Sequence, residues 1–362
     1  MASKKHELSN NYLALLELVR AGLWADNGSQ FSVHGSVDWT IVYQTAEAQG
    51  VMGLVAAGIE RLNVSLLLAV KLQFVGSTLQ IEQRNKAMNA FIADIVERMR
   101  AEGIYTLLVK GQGVAQCYEK SLWRPSGDVD FLLSDDNYPK AVALFKTLYD
   151  NYKNGGNYSK EYAFYSDQWM IELHGSLRTG LSSKIDKVID AVQRDVFYGG
   201  SVRSWQNGKT QVFLPAPTND VFLVFTHFIK HFYKEGMSLR QVCDWCRLLW
   251  TYKETLNYDL LEKWIKKSGL MTEWAVFGTL AVNWLGMPED AMPTLGSGLM
   301  VHGSRFEKKA ERLLEFILNG SHGKIKDTYE IAKIFPWQTL KFLPSIFLNV
   351  NGLKIKERLF QR

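Results

Sequence analysis

Three cysteines, Cys117, Cys243 and Cys246, stand in a chain of 362 residues. That is too few for a disulfide framework and fits a reducing compartment. No apolar run approaches the ~18 residues of a membrane span. The first residues, Met1-Ala2-Ser3-Lys4-Lys5-His6-Glu7, lead into a charged amphipathic stretch, without the apolar segment of a secretory signal. A cytoplasmic protein is the expectation. Charge of one sign is also scarce: 42 basic against 37 acidic residues leave a formal net charge of +5. That excess supplies no stripe for a polyanion and disfavours nucleic acid as a partner. The locally basic positions Lys354, Lys356, Arg358 and Arg362 read as a solvated helix face. No sequence repeat or low-complexity tract interrupts the chain. Hydrophobic residues make up 47% and charged residues 22%, a globular balance, and the length calls for two or three packed units.

Residues 1–103 read as a helical region. Tyr12, Leu13, Leu15, Leu16 and Val19 recur at helical spacing. The stretch from Leu66 to Arg100 lacks proline, has only Gly76, and predicts one long helix, or two in line, ending at Gly103. Residues 104–200 read as an α/β block. Ile104–Val109 is a short β-rich run that stops at Lys110-Gly111-Gln112-Gly113, and a helix is expected from there to Tyr118. A loop from Ser121 to Gly127 precedes a strand at Asp128–Leu133. A helix capped near Ser134–Asn137, a polar segment at Asn151–Tyr158, and strands over about 160–166 and 169–174 follow. Residues 201–362 read as helical again, with helical patterns at Asp220–Tyr233, Leu239–Tyr252, Asp259–Lys267, Met271–Leu285, Arg305–Leu318 and Asp327–Phe335. The fold class expected is α+β: a small mixed sheet with helices, flanked by N- and C-terminal helical regions.

The most informative residues are Ser126-Gly127-Asp128-Val129-Asp130-Phe131. Side chains two apart on a strand share a face, so Asp128 and Asp130 project together. Two like charges so close need a cation or a proton, and Mg2+ shared with substrate phosphates is the simplest compensation. In Met170-Ile171-Glu172-Leu173-His174, Glu172 and His174 share a face with Met170. If that strand lies beside the Asp128 strand, Glu172 completes a three-carboxylate cluster able to hold two metal ions. Lys110-Gly111-Gln112-Gly113 follows a strand and opens a helix, the arrangement in which backbone amides meet phosphate and Lys110 adds a point charge. The plain alternatives are a solvent-facing edge strand for the aspartates, a surface carboxylate for Glu172, and a core histidine bonded to backbone for His174.

The run LLVKGQGVAQCYEKSLWRPSGDVDFLL, with IELHGSL downstream, resembles the uncharacterised nucleotidyltransferase-like branch of the DNA polymerase β superfamily. The resemblance is specific over about 104–178 and extends loosely over 30–285. It implies a nucleotidyltransferase fold in which Asp128, Asp130 and Glu172 are catalytic metal ligands for Mg2+. It also implies that Gly111 and Gln112 form the turn that meets the triphosphate of an NTP. Lys110, Gly113, Arg124, Ser126 and Gly127 are expected to surround that nucleotide site. Two departures stand out: the turn usually carries Gly-Ser or Gly-Gly where this chain has Gly111-Gln112, and the third carboxylate is more often Asp than Glu. The implied reaction moves NMP from an NTP to a hydroxyl of an acceptor, a small molecule or a protein. A non-catalytic nucleotide- or partner-binding module on the same fold is the alternative. Arg124 is read equally as a phosphate contact or as half of a structural salt bridge.

A second constellation comprises His227 and His231, four apart, followed by Cys243-Asp244-Trp245-Cys246. Two His and two Cys suit zinc, but the cysteines fall in an apolar helical pattern and not in a tight turn. A packed helix pair, with Arg240 and Asp244 paired at i,i+4, is the favoured reading. His174, His227 and Asp244 are then candidates for an acceptor-facing wall.

Overall fold

The structure is a computed structural model that describes residues 8–24, 30–156, 160–293 and 304–359, with the side chains of 304–305 and 348–359 left out. The charged start at 1–7 and Arg362 lie outside the described residues, and so do the side chains of Lys354, Lys356 and Arg358. The chain is α+β, as its pattern predicts. Helices α1 (Asn10–Leu23), α2 (Trp39–Ala48), α3 (Met52–Arg61) and α4 (Leu68–Ala101) come first. The long expected helix is the single α4, of 34 residues. It stops where Gly103 takes φ +66° and Ile104 N–H bonds back to Met99 O, a left-handed cap that glycine adopts freely.

The sheet is built from β1 (Thr106–Val109), β2 (Asp128–Leu133), β3 (Tyr152–Asn154), β4 (Glu161–Tyr165) and β5 (Met170–His174). Its order is β1-β2-β5-β4-β3. β2 and β5 run parallel, and the other pairings are antiparallel. Helix α5 (Gly111–Ala115) follows β1, and α6 (Asn137–Leu148) joins β2 to β3. Two details differ from the sequence reading. α5 closes after five residues, short of Tyr118, because Cys117 and Tyr118 turn back to Val114 and Ala115. The polar segment after Asp150 carries β3, whose three side chains are all exposed, so no apolar alternation announces it.

Helix α7 (Ser183–Tyr198) leads to a hairpin of β6 (Val202–Asn207) and β7 (Thr210–Pro215). The expectation of helix alone after residue 200 is corrected here. Gly208-Lys209 forms the two-residue connection, with Asn207 paired to Thr210, and glycine at the first position of such a loop is a hairpin signal. The rest is helical: α8 (Pro217–Lys234), α9 (Leu239–Tyr252), α10 (Tyr258–Ser268), α11 (Met271–Asn283), α12 (Ser304–Asn319), α13 (Lys324–Ile334) and α14 (Pro336–Leu359). No described helix is long and apolar enough to cross a membrane.

The period of two along each strand sorts the sheet into two faces. Val129, Phe131 and Leu133 of β2, with Leu108, Ile171 and Leu173, pack against α4 and α6 and take in Val212 and Leu214 of β7. Leu107, Val109 and Leu132 face the other way, into a core built from the N- and C-terminal helices. Asp128 and Asp130 alternate with the first set and so face the helical side. The α1–α3 pair is held by glycine. A Cβ on Gly58 would lie 2.1 Å from Leu18 O, and one on Gly22 2.2 Å from Leu54 O. At the centre of the helical core, Trp245 and Trp274 meet edge to face at 4.7 Å, with Phe225 4.8 Å from Trp274. Cys243 and Cys246 lie fully buried in this core, and burial pushes both thiols up. They are packing residues, and they join no metal-holding group among the described residues.

Two predictions follow from this packing. Gly58→Ala gains about 1 kcal/mol of helix propensity but forces the backbones of α1 and α3 apart. Overpacking costs about 1–3 kcal/mol, so thermal melts should show a lower midpoint. The second concerns Glu273, which is 0% exposed. Its Oε1 accepts from Tyr233 Oη at 3.1 Å, and its Oε2 has no partner. Burial raises its pKa from 4.5 to about 7. The neutral acid therefore favours the fold below pH 4.5, and that contribution disappears as the pH rises through 7. The loss is about 3 kcal/mol. Glu273→Gln should melt higher than wild type at pH 8 and lose that advantage at pH 5.

Candidate functional site

The end of β1 and the start of β2 lie side by side, with Val109 opposite Asp130. The parallel register of β2 and β5 sets Asp130 opposite Glu172 and Asp128 opposite Met170. Glu172 therefore stands beside the aspartate strand, as its period of two requires. Asp130 is 3% exposed. Its Oδ1 lies 2.7 Å from Lys110 Nζ and 2.8 Å from His174 Nε2. Burial alone would raise the Asp130 pKa, but Lys110 and His174 hold it well below the usual carboxylate range. Lys110 is buried too, yet the charges of Asp130 and Glu172 keep its ammonium pKa above the ordinary value.

His174 is not the backbone-bonded core histidine of the plain reading. Its Nε2 lies 3.2 Å from Glu172 Oε2 as well as against Asp130, and its Nδ1 is 3.8 Å from Glu161 Oε2. Burial and Lys110 work against its charge, but the bonds to Asp130 and Glu172 outweigh them and raise its pKa. Asp130, Glu172 and His174 offer ligand atoms within 4.8 Å of one another. Asp128 stands outside that tight group, one step along the register. The charge of Asp130, then burial, lifts the Asp128 carboxyl to about 6. Its negative charge lacks full compensation.

These residues line a cleft of about 410 Å³ between the sheet and helices α8 and α9. Lys110, Gly111, Arg124, Ser126, His174, His227 and Asp244 also line it. Three of the expected nucleotide-site residues behave differently. Gln112 is 2% exposed and donates to Asn85 Oδ1 on α4 at 2.7 Å, so its side chain is committed to packing. Gly113 lies under β7, where a Cβ would meet Leu214 Cδ2 at 2.9 Å. Gly127 is exposed, with open space where a Cβ would sit.

Arg124 resolves to the salt-bridge reading. Its Nε and Nη2 each lie 2.7 Å from the two oxygens of Asp244, a buried bidentate pair of the kind guanidinium favours. Tyr118 Oη adds a bond to Asp244 at 2.8 Å. The expected Arg240–Asp244 pair is thus replaced, because Arg124 and Tyr118 occupy the carboxylate. Asp244 lines the cleft wall with its oxygens already used. Arg240 instead donates through Nη1 to Pro125 O at 2.8 Å.

On α8, His227 Nε2 lies 2.9 Å from His231 Nε2, and His231 Nδ1 lies 2.8 Å from Glu235 Oε2. An ionised carboxylate only accepts. His231 Nδ1 therefore carries the proton, and in the neutral chain His227 donates through Nε2. The bond from His231 pulls Glu235 down to about 2. Burial, then Lys110 and His231, hold His227 well below the usual histidine range. The His227–His231 spacing was legible in the sequence. Glu235, one further turn along the same face, was the missed signal.

A model of the family described as uncharacterised nucleotidyltransferase matches residues 35–286. No curated protein and no solved structure matches the chain. The matched span includes the whole sheet, the hairpin and the helices that close the cleft. It covers well over half of the sequence and every residue of the carboxylate edge. The chain therefore belongs to the uncharacterised nucleotidyltransferase family and has that family's general nucleotidyltransferase role.

Proposed function

We propose that the chain moves a nucleoside monophosphate from an NTP to a hydroxyl of a small-molecule or protein acceptor, with Mg2+ as the cation. The observation that carries this reading is the register placing Glu172 beside Asp130 on the face that opens into the cleft. The donor set fits a hard divalent ion, which prefers oxygen ligands. Asp128, Asp130 and Glu172 would hold it, and His174 braces two of the three. The uncompensated charge that lifts Asp128 to about 6 is the charge such an ion would neutralise. When bound, Mg2+ supplies positive charge at the phosphates.

The chain's own residues supply the rest. In the transfer, the acceptor oxygen bonds to the α-phosphorus, the bond to the β-phosphate oxygen breaks, and pyrophosphate leaves. Glu172, which retains 20% side-chain exposure in the cleft, is placed to take the hydroxyl proton. Lys110 holds Asp130 ionised. Most of the catalytic effect in such transfers comes from positioning and from charge at the phosphates.

A second reading has its own support. Lys110 and His174 already neutralise Asp130, so that carboxylate is satisfied without a metal, and the same fold would serve as a non-catalytic nucleotide-binding module. Pyrophosphate release, screened with each NTP against pooled small molecules and proteins, separates the two. Mg2+-dependent release supports transfer, and Mg·NTP binding with no release supports the module. Asp128→Asn and Asp130→Asn should each cut Mg2+-dependent release by about 10²-fold or more. Unchanged release in both variants would sink the carboxylate assignment.

A further inference from the structure

The glycine turn after β1 presents no side-chain hydroxyl to the cleft, because Gln112 points into α4. A hydroxyl stands there nonetheless, delivered from another segment. Ser126 Oγ lies 3.3 Å from the point where a Cβ on Gly111 would sit. Ser126 lines the cleft, and its hydroxyl makes no hydrogen bond to the described residues. Arg240 borders the same corner. Its stem runs past Gly50, where a Cβ would lie 3.3 Å from Arg240 Cδ, and Nη1 is fixed on Pro125 O. Its Nε is buried without a partner, and no described carboxylate forms an ion pair with it, since Asp244 belongs to Arg124. Its second terminal nitrogen, Nη2, makes no hydrogen bond to the described residues, and a guanidinium N–H beside a cleft is best met by an anion.

We propose that Ser126 and Arg240, set against the Gly111 turn, form the seat for the polyphosphate tail of the NTP. This rests on the nucleotide reading of the same cleft. A phosphate there would accept from the Ser126 hydroxyl and from the guanidinium fork, whose planar geometry suits phosphate oxygens. Glycine at 111 keeps the backbone side of the seat open, and its φ of +36° suits glycine. Asp128, two residues after Ser126, repels an anion by itself. The seat therefore puts positive charge at the end of the cleft where the carboxylate edge begins, and the tail spans the two.

The test is calorimetric titration of the full chain with sodium tripolyphosphate in EDTA, so that metal plays no part. Wild type should bind it, and should bind inorganic phosphate more weakly, as a seat for a tail and not for a single phosphate requires. Arg240→Gln should weaken tripolyphosphate binding tenfold or more, the scale of a lost charge-assisted pair. Arg240→Lys should recover only part of the loss, because lysine lacks the fork. Ser126→Ala should cost about threefold. Asp128→Asn should bind as tightly as wild type or more tightly while its Mg2+-dependent pyrophosphate release falls, so the two readings fail separately. Wild-type affinity in both Arg240→Gln and Ser126→Ala would overturn the seat, as would Mg·ATP binding by a protein that ignores tripolyphosphate. If circular dichroism shows Arg240→Gln unfolded, Arg240→Lys and Ser126→Ala decide the matter.

Discussion

Asp130 is a carboxylate with 3% exposure in the second strand of a five-stranded sheet. Removing a charge of that kind from water costs several kcal/mol unless opposite charge and hydrogen bonds replace the solvent. Lys110 from the end of β1 and His174 from the end of β5 provide both. The shape of the neighbouring backbone fits this need. Lys110 adopts φ +58° and ψ −148°, a region that costs an L-residue about 1–3 kcal/mol. A charge-assisted bond to Asp130 is of comparable size. The abrupt stop of β1 and the turn into Gly111 set Lys110 against Asp130.

A second buried ion pair fixes where the helical wall stands. Arg124 leaves the loop before β2 and grips Asp244 on α9 through two bonds. Tyr118, from the loop after α5, joins the same carboxylate. Burial opposes the Arg124 charge, but Asp244 more than offsets it and holds the guanidinium above its ordinary pKa. Breaking such a pair from one side costs about 3–5 kcal/mol. The sheet edge and α9 are therefore tied at the base of the cleft, which sets the distance across which α8 presents His227 and His231. Residues far apart in the chain become one site because two charges needed partners.

The period of two along GDVD and along Met170–His174 was enough to place Asp128, Asp130, Glu172 and His174 on one face, and the parallel register completes that reading. Helix α4 and the helices after α7 were legible for a similar reason: long apolar periodicity leaves few alternatives. The partners of polar side chains were not legible. Gln112 looked like a phosphate contact by position, but Asn85, 27 residues earlier, claims it. Asp244 looked like the i,i+4 partner of Arg240, but Arg124, 120 residues earlier, outcompetes it. Local spacing predicts local pairs, and a buried carboxylate takes the best geometry available at any sequence distance. The β6–β7 hairpin is a different case. Its Gly208-Lys209 turn was present, but the half-buried face of β6 carries Arg203 and Asn207 beside Trp205, so no apolar alternation announces the strand.

The order β1-β2-β5-β4-β3 leaves β1 and β3 as the terminal strands. An open strand end is a template on which another chain can continue a sheet. β1 is wholly buried and has β7 lying against it. β3 is exposed but only three residues long, with Lys153 at its centre, features that discourage strand addition. The hairpin absent from the sequence reading thus has a consequence for how copies of this protein behave in a crowd. With β7 lying against β1 and β3 short and charged, the sheet offers poor ends for strand exchange between molecules.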